Sequence, residues 1–102
     1  MAEELRDNRE RQRYELWVDG DLRAHLVYRE RPGLLALIHT ETEQGFEGQG
    51  AASALVRAVL DRARADGSAV LPFCPFANEW IRRHPEYADL VPEADRERFG
   101  VG

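Results

Sequence analysis

The sequence lacks lysine altogether and contains a single cysteine, Cys74. Every basic side chain is therefore an arginine, which excludes Schiff-base chemistry and a lysine general base. One cysteine excludes a disulfide within the chain and a metal site made only of cysteines. The longest apolar run, Leu34–Ile38, is far shorter than the ~20 residues that span a bilayer. The acidic start Met-Ala-Glu-Glu has no apolar segment of the kind that a signal peptide needs, so we expect a cytosolic protein that enters no membrane.

Composition and charge restrict the class of protein further. The chain has 102 residues, of which 43% are hydrophobic and 32% charged, as in a single soluble domain. The net charge of −5 argues against nucleic-acid binding, which relies on clustered cations, and it favours a cationic partner. His25, His39 and His84 do not have zinc-site spacing, so we expect no metal.

The first part of the chain predicts antiparallel strands. Residues 1–13 carry mixed charges and have only Leu5 to bury, so we expect a frayed tail. Apolar and polar residues then alternate from Tyr14 to Tyr28 on both sides of the turn signal Asp19-Gly20-Asp21, a pattern that predicts a β-hairpin. The apolar run Leu34–Ile38 predicts a third strand.

The second part predicts a strand–helix–strand unit. Gln49–Asp66 has the period of an amphipathic helix, and Gly67 is its stop signal. Ala69–Phe73 is short and wholly apolar, as expected for a parallel strand that is buried on both faces. A second helix containing Trp80 should end before His84-Pro85. The sequence therefore predicts one α/β domain over residues 14–91, with two main helices, a mixed sheet and a charged, peripheral tail over residues 92–102.

Three features converge on one edge of the predicted sheet. His39 follows the first parallel strand, Cys74 follows the second, and Gly48-Gln49-Gly50 precedes the helix that connects them. The carboxyl ends of parallel strands form the usual ligand cleft of α/β folds. Glycines allow close backbone approach, and the free N–H groups of the first helical turn attract an anion. The same glycines also suit an ordinary tight loop, and Cys74 and His39 taken singly also suit a core cysteine and a strand-end histidine.

These motifs together resemble a small, minimal branch of the GNAT superfamily of N-acetyltransferases. The resemblance runs from Tyr14 to about Val91, and its motifs are Ile38-His39-Thr40-Glu41, Glu47-Gly48-Gln49-Gly50, Leu71-Pro72-Phe73-Cys74-Pro75-Phe76 and Arg83-His84-Pro85-Glu86-Tyr87. It implies an acetyl-CoA-binding fold, with the mixed sheet already described and a cleft between the two parallel strands. It also implies His39 and Cys74 as the catalytic pair, and it assigns the pyrophosphate to Gly48, Gln49, Gly50, Ala51 and Ala52.

One position departs from the superfamily motif. The pattern begins with Gln or Arg three residues before its first glycine, whereas this chain has Gly45 there. One side-chain contact to the phosphates is thereby lost, and backbone N–H groups have to hold them.

The resemblance implies an acetyltransferase that moves an acetyl group from acetyl-CoA to an amine. His39 would remove a proton from the amine or from Cys74. Either the amine attacks acetyl-CoA directly, or Cys74 first forms an acetyl-thioester. The alternative is a non-catalytic acyl-CoA-binding or sensor module that acts with a partner, because the chain lacks the extra segments with which longer members recognise their acceptors. Neither the acceptor nor the oligomeric state follows from the sequence.

Overall fold

A computed structural model describes residues 2–102 as a five-stranded sheet with helices. The strands are β1 (Glu3–Asn8), β2 (Arg13–Val18), β3 (Asp21–Arg31), β4 (Leu34–Thr42) and β5 (Ala69–Pro72). The helices are α1 (Ala51–Asp66), α2 (Pro75–Arg83) and α3 (Glu93–Phe99), with a 3-10 turn at Pro85–Leu90. None of these helices combines the length and apolarity that a membrane span requires.

The sheet is mixed, as the sequence predicts. Its strands lie in chain order, and every neighbouring pair is antiparallel except β4 and β5, which are parallel and joined through α1. The predicted hairpin is formed by β2 and β3, and Asp19 and Gly20 at its tip both have positive φ. This combination is typical of the tight turns whose twist matches a hairpin.

The core lies between one face of the sheet and α1. The helix buries the predicted stripe, and its members are Ala51, Leu55, Val56, Val59, Leu60 and Ala63. Leu26, Leu37 and Val70 meet this stripe from the sheet and are fully buried. We call this the inner face of the sheet, and the opposite face the outer face. Strand β5 alternates between buried and half-buried residues, so the prediction that both of its faces are buried is wrong.

The N-terminal segment is a strand and not the frayed tail that its charges suggested. Strand β1 pairs antiparallel with β2, and Leu5 packs against the core opposite Leu16. Because β1 is an edge strand, its outward side chains meet water, and charged residues such as Glu4 and Arg6 suit that place. One apolar residue gave too little alternation for a strand to be recognised from the sequence.

The C-terminal segment also packs on the domain. Gly100 ends α3 in the left-handed conformation, and Val101 beyond it is buried. The ring of Phe99 lies edge-on to that of Phe73, with ring centres 5.3 Å apart. Both ends of the chain therefore continue the packed unit beyond the predicted limits of 14 and 91.

Candidate active site

The sheet opens where β5 ends. Strand β5 pairs with β4 only from Leu34 to Leu37, whereas β4 continues to Thr42. A β-bulge lies at this point, because Val27 pairs with His39 and Tyr28 with Leu37, which leaves Ile38 as the extra residue. Bulges bend a strand and increase its local twist. The second half of β4 therefore borders a gap that no strand among residues 2–102 fills on that side.

Cys74 lies at the bottom of this gap. It is the N-cap residue of α2, and its backbone N–H donates a 2.8 Å hydrogen bond to the carbonyl of Leu37. Its side chain is buried, and Sγ lies 3.1 Å from Oγ1 of Thr40. The thiol is thus held between the last β4–β5 contact and the positive end of a nine-residue helix.

His39 lies within β4 and not past its end as predicted. The second half of the strand is polar, so the apolar run alone placed the end of the strand too early. Successive side chains of a strand point to opposite faces, and Thr40 takes the inner face while His39 takes the outer one. The His39 ring is 59% exposed, and its Nε2 lies 3.3 Å from Oε1 of Glu41. The structure thus brings both predicted catalytic residues to the gap but on different faces of β4, and Thr40 is the residue that contacts Cys74.

The loop before α1 leaves backbone N–H groups free. Gly48 and Gly50 have φ of 78° and 76°, in the left-handed region that favours glycine. Gly50 is the N-cap residue, no side chain caps the helix, and the first turn has no acidic residue. The first hydrogen bond within the helix runs from the N–H of Ala54 to Gly50. The N–H groups of residues 51–53 therefore remain available to an anion, at the positive end of the helix dipole.

The backbone conformation at Gly45 accounts for the glycine that departs from the superfamily motif. Its φ is 94°, a conformation that arginine and glutamine rarely adopt. Its N–H is held at 2.9 Å by the carboxylate of Glu47, so the loop is shaped by a backbone contact where the motif has a long side chain.

Arg23 brings a cation to this loop, and the sequence analysis missed it. Its Nη1 donates to Oε1 of Gln49 at 3.0 Å, and its guanidinium lies 4.4 Å from the ring centre of Phe46. Its Nε is buried without a hydrogen-bond partner within residues 2–102. The only available signal was a charged residue inside the hairpin, which also fits a solvated face. The Gln49 side chain accepts this hydrogen bond, so its role in the loop is to anchor Arg23.

An aromatic cluster connects α2 to the first turn of α1. The indole N–H of Trp80 donates to the hydroxyl of Ser53 at 2.8 Å. The ring of His84 stacks on Trp80 with ring centres 3.7 Å apart, and its Nδ1–H donates to the Trp80 carbonyl at 2.7 Å. A groove beside this cluster is lined by Ser53, Phe76, Glu79, Trp80, Arg83 and His84.

The hydroxyl of Tyr87 makes two hydrogen bonds within the fold. It donates to Oδ1 of Asp61 at 2.7 Å and accepts from Nη1 of Arg57 at 3.2 Å. The hydrogen bond to Asp61, followed by burial, raises the pKa of the phenol above its ordinary value. A phenol held in this way is a poor proton donor to a substrate.

The outer face beside His39 is acidic. Glu41 pairs across the strands with His25, and Oε2 of Glu43 lies 2.5 Å from the Nδ1 of His25. One ring nitrogen of His25 and one carboxylate oxygen from each of Glu41 and Glu43 lie within 4.8 Å of one another. His25 is not a free surface residue, because its side chain is only 12% exposed and is paired with Glu43.

Comparison with known proteins identifies relatives for this arrangement. A family model described as GCN5-related N-acetyl-transferase matches residues 13–90. The solution NMR structure of a GCN5-like candidate N-acetyltransferase from Staphylococcus aureus superposes with a TM-score of 0.65 at 21% identity, covering 87% of each chain. This second likeness shows the fold. A search of the curated proteins finds no match.

Proposed function

Because the chain belongs to the GCN5-related N-acetyltransferase family and is an acetyltransferase, we propose that acetyl-CoA supplies its acetyl group and that an amine receives it. The family membership disfavours the alternative of a non-catalytic acyl-CoA-binding module. We further propose that Cys74 carries the acetyl group between the two substrates.

The observation that supports acetyl-CoA is the start of α1. Free N–H groups follow two left-handed glycines, without a capping side chain and without a carboxylate in the first turn. A pyrophosphate needs such donors and is repelled by acidic side chains. The residues that would hold it are Gly48, Gln49, Gly50, Ala51 and Ala52, and Arg23 adds a cation that contacts the loop through Gln49.

The position of Cys74 at the gap beside β4, against Leu37 and Thr40, supports the thioester route. The Cys74 sulfur attacks the acetyl carbon of acetyl-CoA, so a carbon–sulfur bond forms to Cys74 and the bond to the CoA sulfur breaks. The proton of the thiol ends on the CoA sulfur. One thioester replaces another, so this exchange is nearly isoenergetic. The amine then attacks the acetyl carbon, so a carbon–nitrogen bond forms and the bond between the acetyl carbon and the Cys74 sulfur breaks. Cys74 regains its proton from the amine.

The outer face supports an acceptor that is a cation in water. An amine must lose a proton before it attacks, and the exposed imidazole of His39 is the base that we assign to this step. The neighbouring carboxylates of Glu41 and Glu43 attract an ammonium group to the same face. In this arrangement His39 serves the acceptor and not the thiol.

Two measurements on the purified chain test the proposal. Acetyl-CoA at about 100 times its dissociation constant should raise stability by roughly 2.7 kcal/mol, which is a melting shift of several degrees, and Cys74→Ser should retain this shift. Intact-mass analysis should find one acetyl group on the wild-type chain after incubation with acetyl-CoA and none on the Cys74→Ser variant.

The outcomes separate the parts of the proposal. No melting shift with millimolar acetyl-CoA would contradict acetyl-CoA as the donor. A shift with unchanged turnover of Cys74→Ser on an amine would exclude the thioester route and leave direct transfer.

A further inference from the structure

Thr40 is the side chain that the fold brings against the Cys74 sulfur. It pairs with Leu26, which is fully buried, and therefore lies on the inner face of β4. Its Oγ1 is 3.1 Å from Sγ, in a half-buried setting. The bulge at Ile38 sets this register: in a regular ladder Ile38 would pair with Val27, and His39 would lie opposite Leu26 on the inner face in place of Thr40.

The hydroxyl changes its role with the state of the sulfur. Either atom can donate while Cys74 is a neutral thiol, because both carry a proton. A thiolate can only accept, so Thr40 must then donate, and a hydrogen bond to an anion is roughly twice as strong as one between neutral groups. The hydrogen bond from Thr40 is therefore stronger when the sulfur is the nucleophilic thiolate than when it is the neutral thiol.

We propose that Thr40 is the positioning residue for Cys74. Its hydroxyl orients the sulfur toward the gap and stabilises the thiolate. The inference rests on the proposed function insofar as Cys74 is the acetyl carrier. The contact itself can be tested without acetyl-CoA.

Alkylation of Cys74 by iodoacetamide tests the contact. Cys74 is the sole cysteine, so intact mass reports its reaction directly. Thr40→Val keeps the shape of the side chain and removes the hydroxyl, and at one fixed pH it should slow alkylation about tenfold. Thr40→Ser should restore the rate to within about twofold. His39→Gln should leave the rate unchanged.

A second pair of variants separates chemistry from packing. Thr40→Ser and Thr40→Ala both lose the methyl group and differ from each other only in the hydroxyl. The serine variant should react faster than the alanine variant even if the valine variant is poorly folded. The inference is overturned if Thr40→Val reacts as fast as the wild type and Thr40→Ala reacts as fast as Thr40→Ser. It is also overturned if His39→Gln is the only variant that reacts more slowly.

The rate of thioester formation distinguishes this inference from the proposed function. With acetyl-CoA present, the acetylation rate of Cys74 should follow the hydroxyl in the same order of variants. Alkylation that follows the hydroxyl while wild-type Cys74 is never acetylated would support the Thr40 contact and contradict the thioester route. Acetylation at one rate in all Thr40 variants would support that route and overturn the inference.

Discussion

The indole N–H of Trp80 donates a 2.8 Å hydrogen bond to the hydroxyl of Ser53, and this bond joins α2 to the first turn of α1. Cys74 begins α2, and the free N–H groups belong to the first turn of α1. One hydrogen bond thus connects the helix that carries the proposed acetyl carrier with the helix that would hold the pyrophosphate.

Breaking this bond from either side should destabilise the fold. Ser53→Ala leaves the indole N–H of the buried Trp80 without its partner, which should cost about 1–3 kcal/mol of unfolding free energy. The same substitution in a Trp80→Phe background removes no hydrogen bond and should cost less. Urea unfolding of the four proteins gives the coupling energy, which we expect to be about 1 kcal/mol. A coupling near zero would mean that the contact contributes no stability.

Most of the fold follows from local patterns in the sequence. The hairpin and the α1 stripe are each specified by periodicity within their own segment, and β5 is specified by its short apolar run. Strand β1 and the second half of β4 are specified instead by what they pair with, because their residues are polar. Pairing partners are not visible in a single segment, so these two elements were missed or shortened.

The same limit applies to the candidate site. Spacing predicted that His39, Cys74 and the glycines lie at one edge of the sheet. In the structure Cys74 follows β5 and the glycines precede α1, but His39 lies within β4. Which face His39 takes depends on the bulge at Ile38, a one-residue shift that reverses the direction of every side chain after it. The contacts of Thr40 and Arg23 are long-range, 34 and 26 residues apart in the chain, and no local pattern indicates them.

A carboxylate introduced into the first turn of α1 should weaken acetyl-CoA binding without destabilising the fold. Ala52→Asp places a negative charge at the positive end of the helix, so the free protein should be unchanged or more stable by about 0.3–1 kcal/mol. The same charge competes with a pyrophosphate and should abolish the melting shift that acetyl-CoA produces. The matched control is Ala52→Asn, which has the same shape without the charge and should keep most of the shift. A full shift for Ala52→Asp would place the phosphates elsewhere.

Two glycines with the same backbone conformation provide a second test of the loop. Gly50 and Gly67 flank α1 with φ of 76° and 73°, and an added Cβ would meet no atom at either position. Alanine at each should therefore cost a similar ~1–2 kcal/mol of stability through backbone strain alone. Only Gly50→Ala should also weaken acetyl-CoA binding, measured by calorimetry, because Gly67 lies at the far end of the helix. Equal affinities in the two variants would contradict a role for the loop in binding.

Glu15 should make stability depend on pH. It is the one buried acidic residue of β2, and its carboxylate accepts hydrogen bonds from Asn8, Arg13 and Trp17. Burial alone raises the pKa of this carboxyl, but the three hydrogen bonds outweigh it and the net shift is downward. A carboxyl whose pKa is lower in the folded chain stabilises the fold fully above the unfolded value of about 4.3. That stabilisation is lost as the pH falls through the folded value.

The variant Glu15→Gln removes this titration and keeps the size of the side chain. At neutral pH it should be less stable than the wild type by about 1–3 kcal/mol, because the charge-assisted hydrogen bonds are weakened. The difference should shrink in urea unfolding measured well below pH ~4.3, where the wild-type carboxyl also becomes neutral. Glu4→Gln is the matched control, because Glu4 is exposed on the neighbouring strand and its loss should barely change stability at either pH. A gap between wild type and Glu15→Gln that stays constant with pH would mean that packing, and not the charge, is what Glu15 contributes to the sheet.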